Sequence, residues 1–342
     1  MTVQFQHADD VLDILNNLPQ ACDTSMKAAS DRQGQLTKPP GSLGRLEDLA
    51  IWLAGWQGRE KPEIRHPRCV IFAGNHGITA KGVSAFPPEV TMQMVANFKA
   101  GGAAINQLCQ AAGAELDVHA LDLDRPTADF TEGPAMTIED TLAAMQCGAD
   151  AIPDDADLLM PGEMGIGNTT SAAALALAVM GNTSDRTAIY WTGPGTGLDQ
   201  AGVTQKAAMV QKAIDRNKGK TLNPVELLSE YGGREVAAIA GLVLAARMRR
   251  IPVLLDGYIS TAACLPLWHG NASALAHCQI SHCSKEPGHQ HILAGLGLQA
   301  ILDLGMRLGE GSGAATALPI VKAALAAHNG MATFAEAGVS GG

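Results

Sequence analysis

Short apolar runs alternate with longer stretches of helical spacing through most of the chain, and the two patterns predict different elements. The runs at 69–73, 116–121, 157–160, 187–191, 252–255 and 276–280 are predicted strands. The Ala-rich stretches between several of them, at 170–180, 200–217 and 236–249, are predicted helices. Short buried strands separated by helices imply a parallel, doubly wound sheet. The two ends read differently. The segment 11–18 has helical spacing, Pro39, Pro40 and Gly41 break regular structure, and Ser42 is placed to cap a helix starting near Leu43. From about His291 the pattern is helical again, interrupted by GEGSGA at 309–314. The expected organisation is therefore α/β: N-terminal helices over 1–66, a large domain over 67–290, and C-terminal helices over 291–342 that return to form a small helical domain with the first segment.

Composition narrows the function. Hydrophobic residues make up 46% of the 342 and charged residues 17%, enough apolar material for a large core. The net charge of −10 leaves no basic footprint, so nucleic acid is not an expected partner. The N-terminus is acidic where a signal peptide needs a basic start and an apolar run. The apolar stretches at 171–180 and 236–246 are too short to cross a bilayer, and a cytoplasmic location is expected. The seven Cys are scattered, odd in number and without a CxxC pair, which reads as free buried thiols and no metal site.

The loops after the strands carry the chemistry. GNHG (74–77), PGEMGIGNTT (161–170), TGPGTG (192–197), DGYIST (256–261) and SHCSKEPGH (281–289) each come directly after a predicted strand. In an open parallel sheet of Rossmann-like type, ligands sit at the carboxyl ends of the strands. Five polar or glycine-rich loops on one edge therefore describe one composite site, although no single loop is a strong motif.

In PGEMGIGNTT, Gly165 and Gly167 allow close backbone approach to an anion, and Asn168, Thr169 and Thr170 stand at the start of a helix whose first amides favour one. A structural turn is the alternative. Glu163 is unfavourable beside a phosphate but suits ribose hydroxyls or a cationic nitrogen base. Lys206 is one of few cations placed to neutralise a phosphate, or else a solvated surface lysine. Ser284 and Lys285 lie in another strand-end loop. His76 reads as a base, a nucleophile or a satisfied loop histidine. Glu310, between Gly309 and Gly311, reads either as an exposed turn or as a carboxylate whose desolvation moves it toward base chemistry. There is no Walker A sequence and no GxGxxG at the first strand, which weakens a nicotinamide oxidoreductase. A non-catalytic nucleotide-binding protein is the alternative from another class; in it Glu310 would be dispensable.

The strings LTKPPGSLGRLE (36–47), AGNHGITAKGVSAFPPEVT (73–91), GEMGIGNTT (162–170), TGPGTGLD (192–199), LLDGYISTAA (254–263), SHCSKEPGH (281–289) and LDLGMRLGEGSGAA (302–315) resemble, in order and nearly end to end, the nicotinate-nucleotide–dimethylbenzimidazole phosphoribosyltransferase family of cobalamin biosynthesis. The resemblance implies nicotinate mononucleotide as donor, 5,6-dimethylbenzimidazole or a related base as acceptor, no cofactor, no metal, and a homodimer. It implies Glu310 as the catalytic base, Glu163 and Gly165 at the donor, and Lys206 and Ser284 at its phosphate. It also implies an acceptor pocket including Phe86, Met94 and Leu308, the first two of which differ from one well-known family pattern.

Overall fold

Six strands form one sheet in the computed structural model, which describes residues 3–181 and 186–340. The strands are β1 (Pro67–Ala73), β2 (Glu115–Ala120), β3 (Leu158–Met164), β4 (Val253–Leu255), β5 (Cys278–His282) and β6 (Ala300–Leu302). Their order is β2-β1-β3-β4-β5-β6, and every neighbouring pair is parallel. The chain leaves β1 to one side for β2 and returns on the other side for β3. That makes the β1/β3 border the topological switch point, where such sheets open a crevice at their carboxyl edge.

Alternation along β1 builds a core on each face. Val70 and Phe72 enter one apolar cluster, with helices Asn168–Met180 and Arg234–Met248. Cys69 and Ile71 enter the other, with Arg45–Gln57, Ala104–Ala112 and Ser312–Gly330. This second layer brings the chain's two ends together. Arg32 Nε donates to the His328 carbonyl at 2.9 Å, and Leu36 forms an antiparallel bridge with Thr333.

Three elements differ from the sequence reading. The run at 187–191 is not a strand but the short helix Ala188–Trp191. Ala188 and Trp191 are buried three residues apart while Ile189 is 47% exposed, a helical spacing that five residues are too few to reveal as a period. β3 continues past Met160 through Pro161, Gly162 and Glu163 to Met164, paired along its length with β1. The tail is not wholly helical, since β6 beside β5 extends the sheet beyond residue 290.

Candidate active site

At the carboxyl edge, the ends of β3, β4 and β5 and the loops 192–197 and 303–311 enclose one cleft. Glu163, Gly165, Asn168, Thr169, Ser284, Leu308 and Glu310 all line it, so most of the expected site residues meet.

Glu163 stands at the end of β3 and is buried. The Asn168 amide Nδ2 donates to its Oε2. Burial pushes the carboxyl well above the usual range, and the negative charges of Asp256, Glu235 and Glu310 add to this more than Asn168 offsets it. Glu163 is therefore a group that holds its proton until it meets a cation or a strong donor.

Glu310 sits in a loop that only a special backbone permits. Gly309, Glu310 and Gly311 have φ of 84°, 63° and 78°, three successive left-handed residues. Glu310 is the non-glycine among them, and such a conformation persists only where surrounding structure enforces it. Gly162 of β3 supplies the floor: a Cβ there would stand 2.7 Å from the Glu310 carbonyl carbon. On the strand beside it, Cys69 Sγ lies under Gly311. Asp256, directly after β4, accepts from the Gly311 amide at 3.1 Å, Gly313 at 2.6 Å and Ala314 at 3.1 Å. Burial first, and the Asp256 charge second, push the Glu310 carboxyl up to about 7.

The opposite wall is cationic and hydroxylic. Arg307 Nη1 donates to the Gly195 carbonyl at 2.8 Å and lines the cleft. Lys206, on helix Gln200–Arg216, lies one side chain behind the wall; its Nζ donates to Thr169 Oγ1 at 2.5 Å and to the Gly193 carbonyl at 3.2 Å. Burial lowers its ammonium to about 8. Glu286 accepts from the Gly195 amide at 2.9 Å, and burial raises its carboxyl. The Ser284 amide donates to His289 Nδ1 at 3.0 Å, which leaves the His289 proton on Nε2, beside Thr261 Oγ1 at 3.2 Å. Burial lowers His289 to about 3, so it is a neutral strut.

Several expected residues stand elsewhere. Gly167, with φ of 95°, caps helix Asn168–Met180 and packs on Thr79 rather than lining the cleft. His76 is sealed below the floor, its Nε2 bonded to the equally buried Glu235. Phe86 is 49% exposed and Met94 packs against the second apolar cluster; neither lines the cleft. Conversely, Asp256, His282, Glu286 and Arg307 line the cleft without having been assigned a role from sequence. Their signal was their place in the strand-end and GEGSG loops. Among the described residues no group of three or more His, Cys, Asp or Glu could hold a metal ion, and no helix is long and apolar enough to cross a membrane.

Comparison with known proteins finds relatives along nearly the whole chain. A phosphoribosyltransferase family model matches residues 18–339. The nicotinate-nucleotide–dimethylbenzimidazole phosphoribosyltransferase of Ruegeria sp. (strain TM1040) is 56% identical over 96% of this chain and 97% of its own length. That of Mesorhizobium japonicum is 53% identical over 98% and 99%. The crystal structure of CobT from Thermus thermophilus superposes with a TM-score of 0.86 at 42% identity, covering 93% of this chain and all of that one. A cleft at the carboxyl edge of the sheet carrying buried carboxylates, and relatives of more than half identity along nearly the whole length, lead to one conclusion: the chain belongs to the nicotinate-nucleotide–dimethylbenzimidazole phosphoribosyltransferase family.

Proposed function

We propose that the chain transfers the phosphoribosyl group of nicotinate mononucleotide to 5,6-dimethylbenzimidazole, releasing nicotinate and α-ribazole 5′-phosphate, with Glu310 as general base. The observation that carries the mechanism is a cleft-lining carboxylate held near 7, where a base is both ionised and proton-hungry at neutral pH. The unprotonated ring nitrogen of the acceptor attacks the anomeric carbon on the face opposite nicotinate. The bond to the pyridinium nitrogen breaks, its electron pair neutralises that nitrogen, and Glu310 takes the proton from the acceptor's other ring nitrogen. Inversion turns a β linkage into an α one. A pyridinium is already a good leaving group, so the rest of the catalytic work is positioning and electrostatics.

Glu163, Gly165 and Asn168 are assigned to the donor's ribose and base. Its phosphate is assigned to Thr169, Ser284 and Arg307, with Lys206 behind them. Gly167 is assigned to holding the helix start, and Leu308 to the acceptor; Phe86 and Met94 lie off the cleft. The division into a sheet domain and a helical annex made by both termini is supported by the contacts of Arg32 and Leu36 with the C-terminal segment. The seven free cysteines suit a cytoplasmic protein. A homodimer is the expected assembly, since single-patch association closes as a two-fold pair; a monomeric mass by light scattering at micromolar protein would rule it out.

Purified protein incubated with nicotinate mononucleotide and dimethylbenzimidazole should yield α-ribazole 5′-phosphate by mass, with an α anomeric proton by NMR. Binding of both compounds without product would leave a binding protein instead.

A further inference from the structure

We propose that Asp256 is a positioning residue for Glu310: its carboxylate fixes the backbone that carries the base and, as a facing negative charge, adds to burial in raising the pH at which the base works. This rests on Glu310 being the general base.

Helix Ser312–Gly330 begins at Gly311, an N-cap with no side chain to satisfy the first amides. Asp256 supplies the missing cap from another element. Its Oδ2 accepts from Gly311, and its Oδ1 from Gly313 and Ala314. The carboxylate is fully buried and rooted by the end of β4, so the helix start is tied to the centre of the sheet. A helix N-terminus also favours an anion. Glu310 immediately precedes this anchored turn in its left-handed conformation, which gives the loop little freedom to move the base away from the cleft.

The same carboxylate faces Glu310 electrostatically. Around the Glu310 loop stand Cys69 from β1, Glu163 from β3, Asp256 after β4, His282 from β5 and Arg307 from the loop itself. His282 Nε2 lies 3.8 Å from Asp256 Oδ1; burial raises the Asp256 carboxyl, and the imidazole and the three amides, which favour its charged form, offset part of that. Of these groups, Asp256 adds to burial in raising Glu310. A like charge nearby disfavours ionisation, so Asp256 makes Glu310 a stronger base that needs a higher pH to ionise.

The test is the pH dependence of kcat/KM for wild type, Asp256→Asn and Glu310→Gln, with folding checked by circular dichroism. Asp256→Asn retains one acceptor oxygen for Gly313 and Ala314 but lacks the charge. The acidic limb, with its midpoint near 7 in wild type, should move to lower pH, while the plateau rate falls as the loop loosens. Asp256→Ser, which lacks the charge and keeps a small acceptor, should move the limb the same way and serves if the Asn variant does not fold. A limb that stays in place or moves up in whichever variant folds, whatever the plateau, overturns the proposal, because a purely structural role lowers the rate without shifting the midpoint. Glu310→Gln separates the two readings: loss of the limb supports Glu310 as base, whereas an unchanged limb and rate refutes Glu310 independently of the Asp256 result.

Discussion

Lys206 Nζ donates to Thr169 Oγ1 at 2.5 Å from a side chain with no exposed surface, while Thr169 itself lines the cleft. At the phosphate site proposed above, the ammonium would act through, or after displacing, the threonine hydroxyl. Lys206→Ala should weaken nicotinate mononucleotide binding at least tenfold, the scale of a lost charge-assisted hydrogen bond. Binding of the dephosphorylated nucleoside should change far less. Calorimetric titration of both ligands decides it, and equal losses would remove Lys206 from the phosphate site.

Two titrations bracket the working range. Glu310 must be ionised to take a proton, and its carboxyl sits at about 7. Lys206 must be charged to hold a phosphate, and its ammonium sits at about 8. The profile of kcat/KM, which reports the free enzyme, should therefore be a narrow bell with limbs near these values. At saturating donor the alkaline limb of kcat should move up, because bound phosphate stabilises the ammonium. A flat profile between pH 6 and 9 would contradict both assignments.

The carboxylate itself is tested by Glu310→Gln, which keeps the shape and removes the base. Single-turnover rate at saturating donor and acceptor should fall by about 10²–10⁴-fold, the usual worth of general-base catalysis. Binding of both substrates should persist. A fall of less than about threefold, with folding and binding intact, would move the proton to water or to another group of the cleft.

Much of the fold and site is legible in the residues, for reasons that also explain the failures. β1 and β4 show as apolar runs because strands covered by helices on both faces need apolar side chains on both, whereas β5 reads CQISH and is only partly apolar. Pro161 and Gly162 look like a turn, yet they continue β3 because the Glu310 backbone packs on Gly162 and needs a strand without a side chain there. The three residues of β6 are too few to register against the helical pattern around them. Glu163 and Glu310 are visible because glycines surround them in sequence. Asp256 is visible only as part of a loop, since its work is done on backbone amides 55 to 58 positions away. Phe86 and Met94 carry no chemistry that places them, and only the family likeness points to them.

Gly162 gives a backbone test. A methyl at this position would stand 2.7 Å from both the Glu310 carbonyl carbon and the Gly311 amide nitrogen, closer than a Cβ tolerates, and neither atom belongs to a flexible side chain. Gly162→Ala should push the Glu310 loop off β3. Overpacking of this kind costs about 1–3 kcal/mol of stability, and turnover should fall at least tenfold because a small misplacement of a reacting group slows the chemistry steeply. A cooperative melt with wild-type turnover would show that the loop has slack.

Raising the Glu310 carboxyl also implies a stability difference of defined sign. In the folded protein it stands at about 7, against an ordinary value of 4.5. Between those two pH values the folded chain binds more protons at this site than the unfolded chain does. Stability contributed by this group is therefore full below about 4.5, falls as pH rises, and is wholly lost above about 7. Glutamine does not ionise and escapes the loss. Glu310→Gln should match wild type near pH 4.5 and exceed it at pH 8 by on the order of 1–2 kcal/mol, allowing for solvent at the cleft mouth. Urea melts of both proteins at the two pH values measure this directly. The same substitution that removes turnover would then strengthen the fold, as expected where a charged base is held in a buried cleft for function. A variant less stable than wild type at pH 8 would mean that the ionised carboxylate is stabilised in the folded protein and that its proton affinity is not raised.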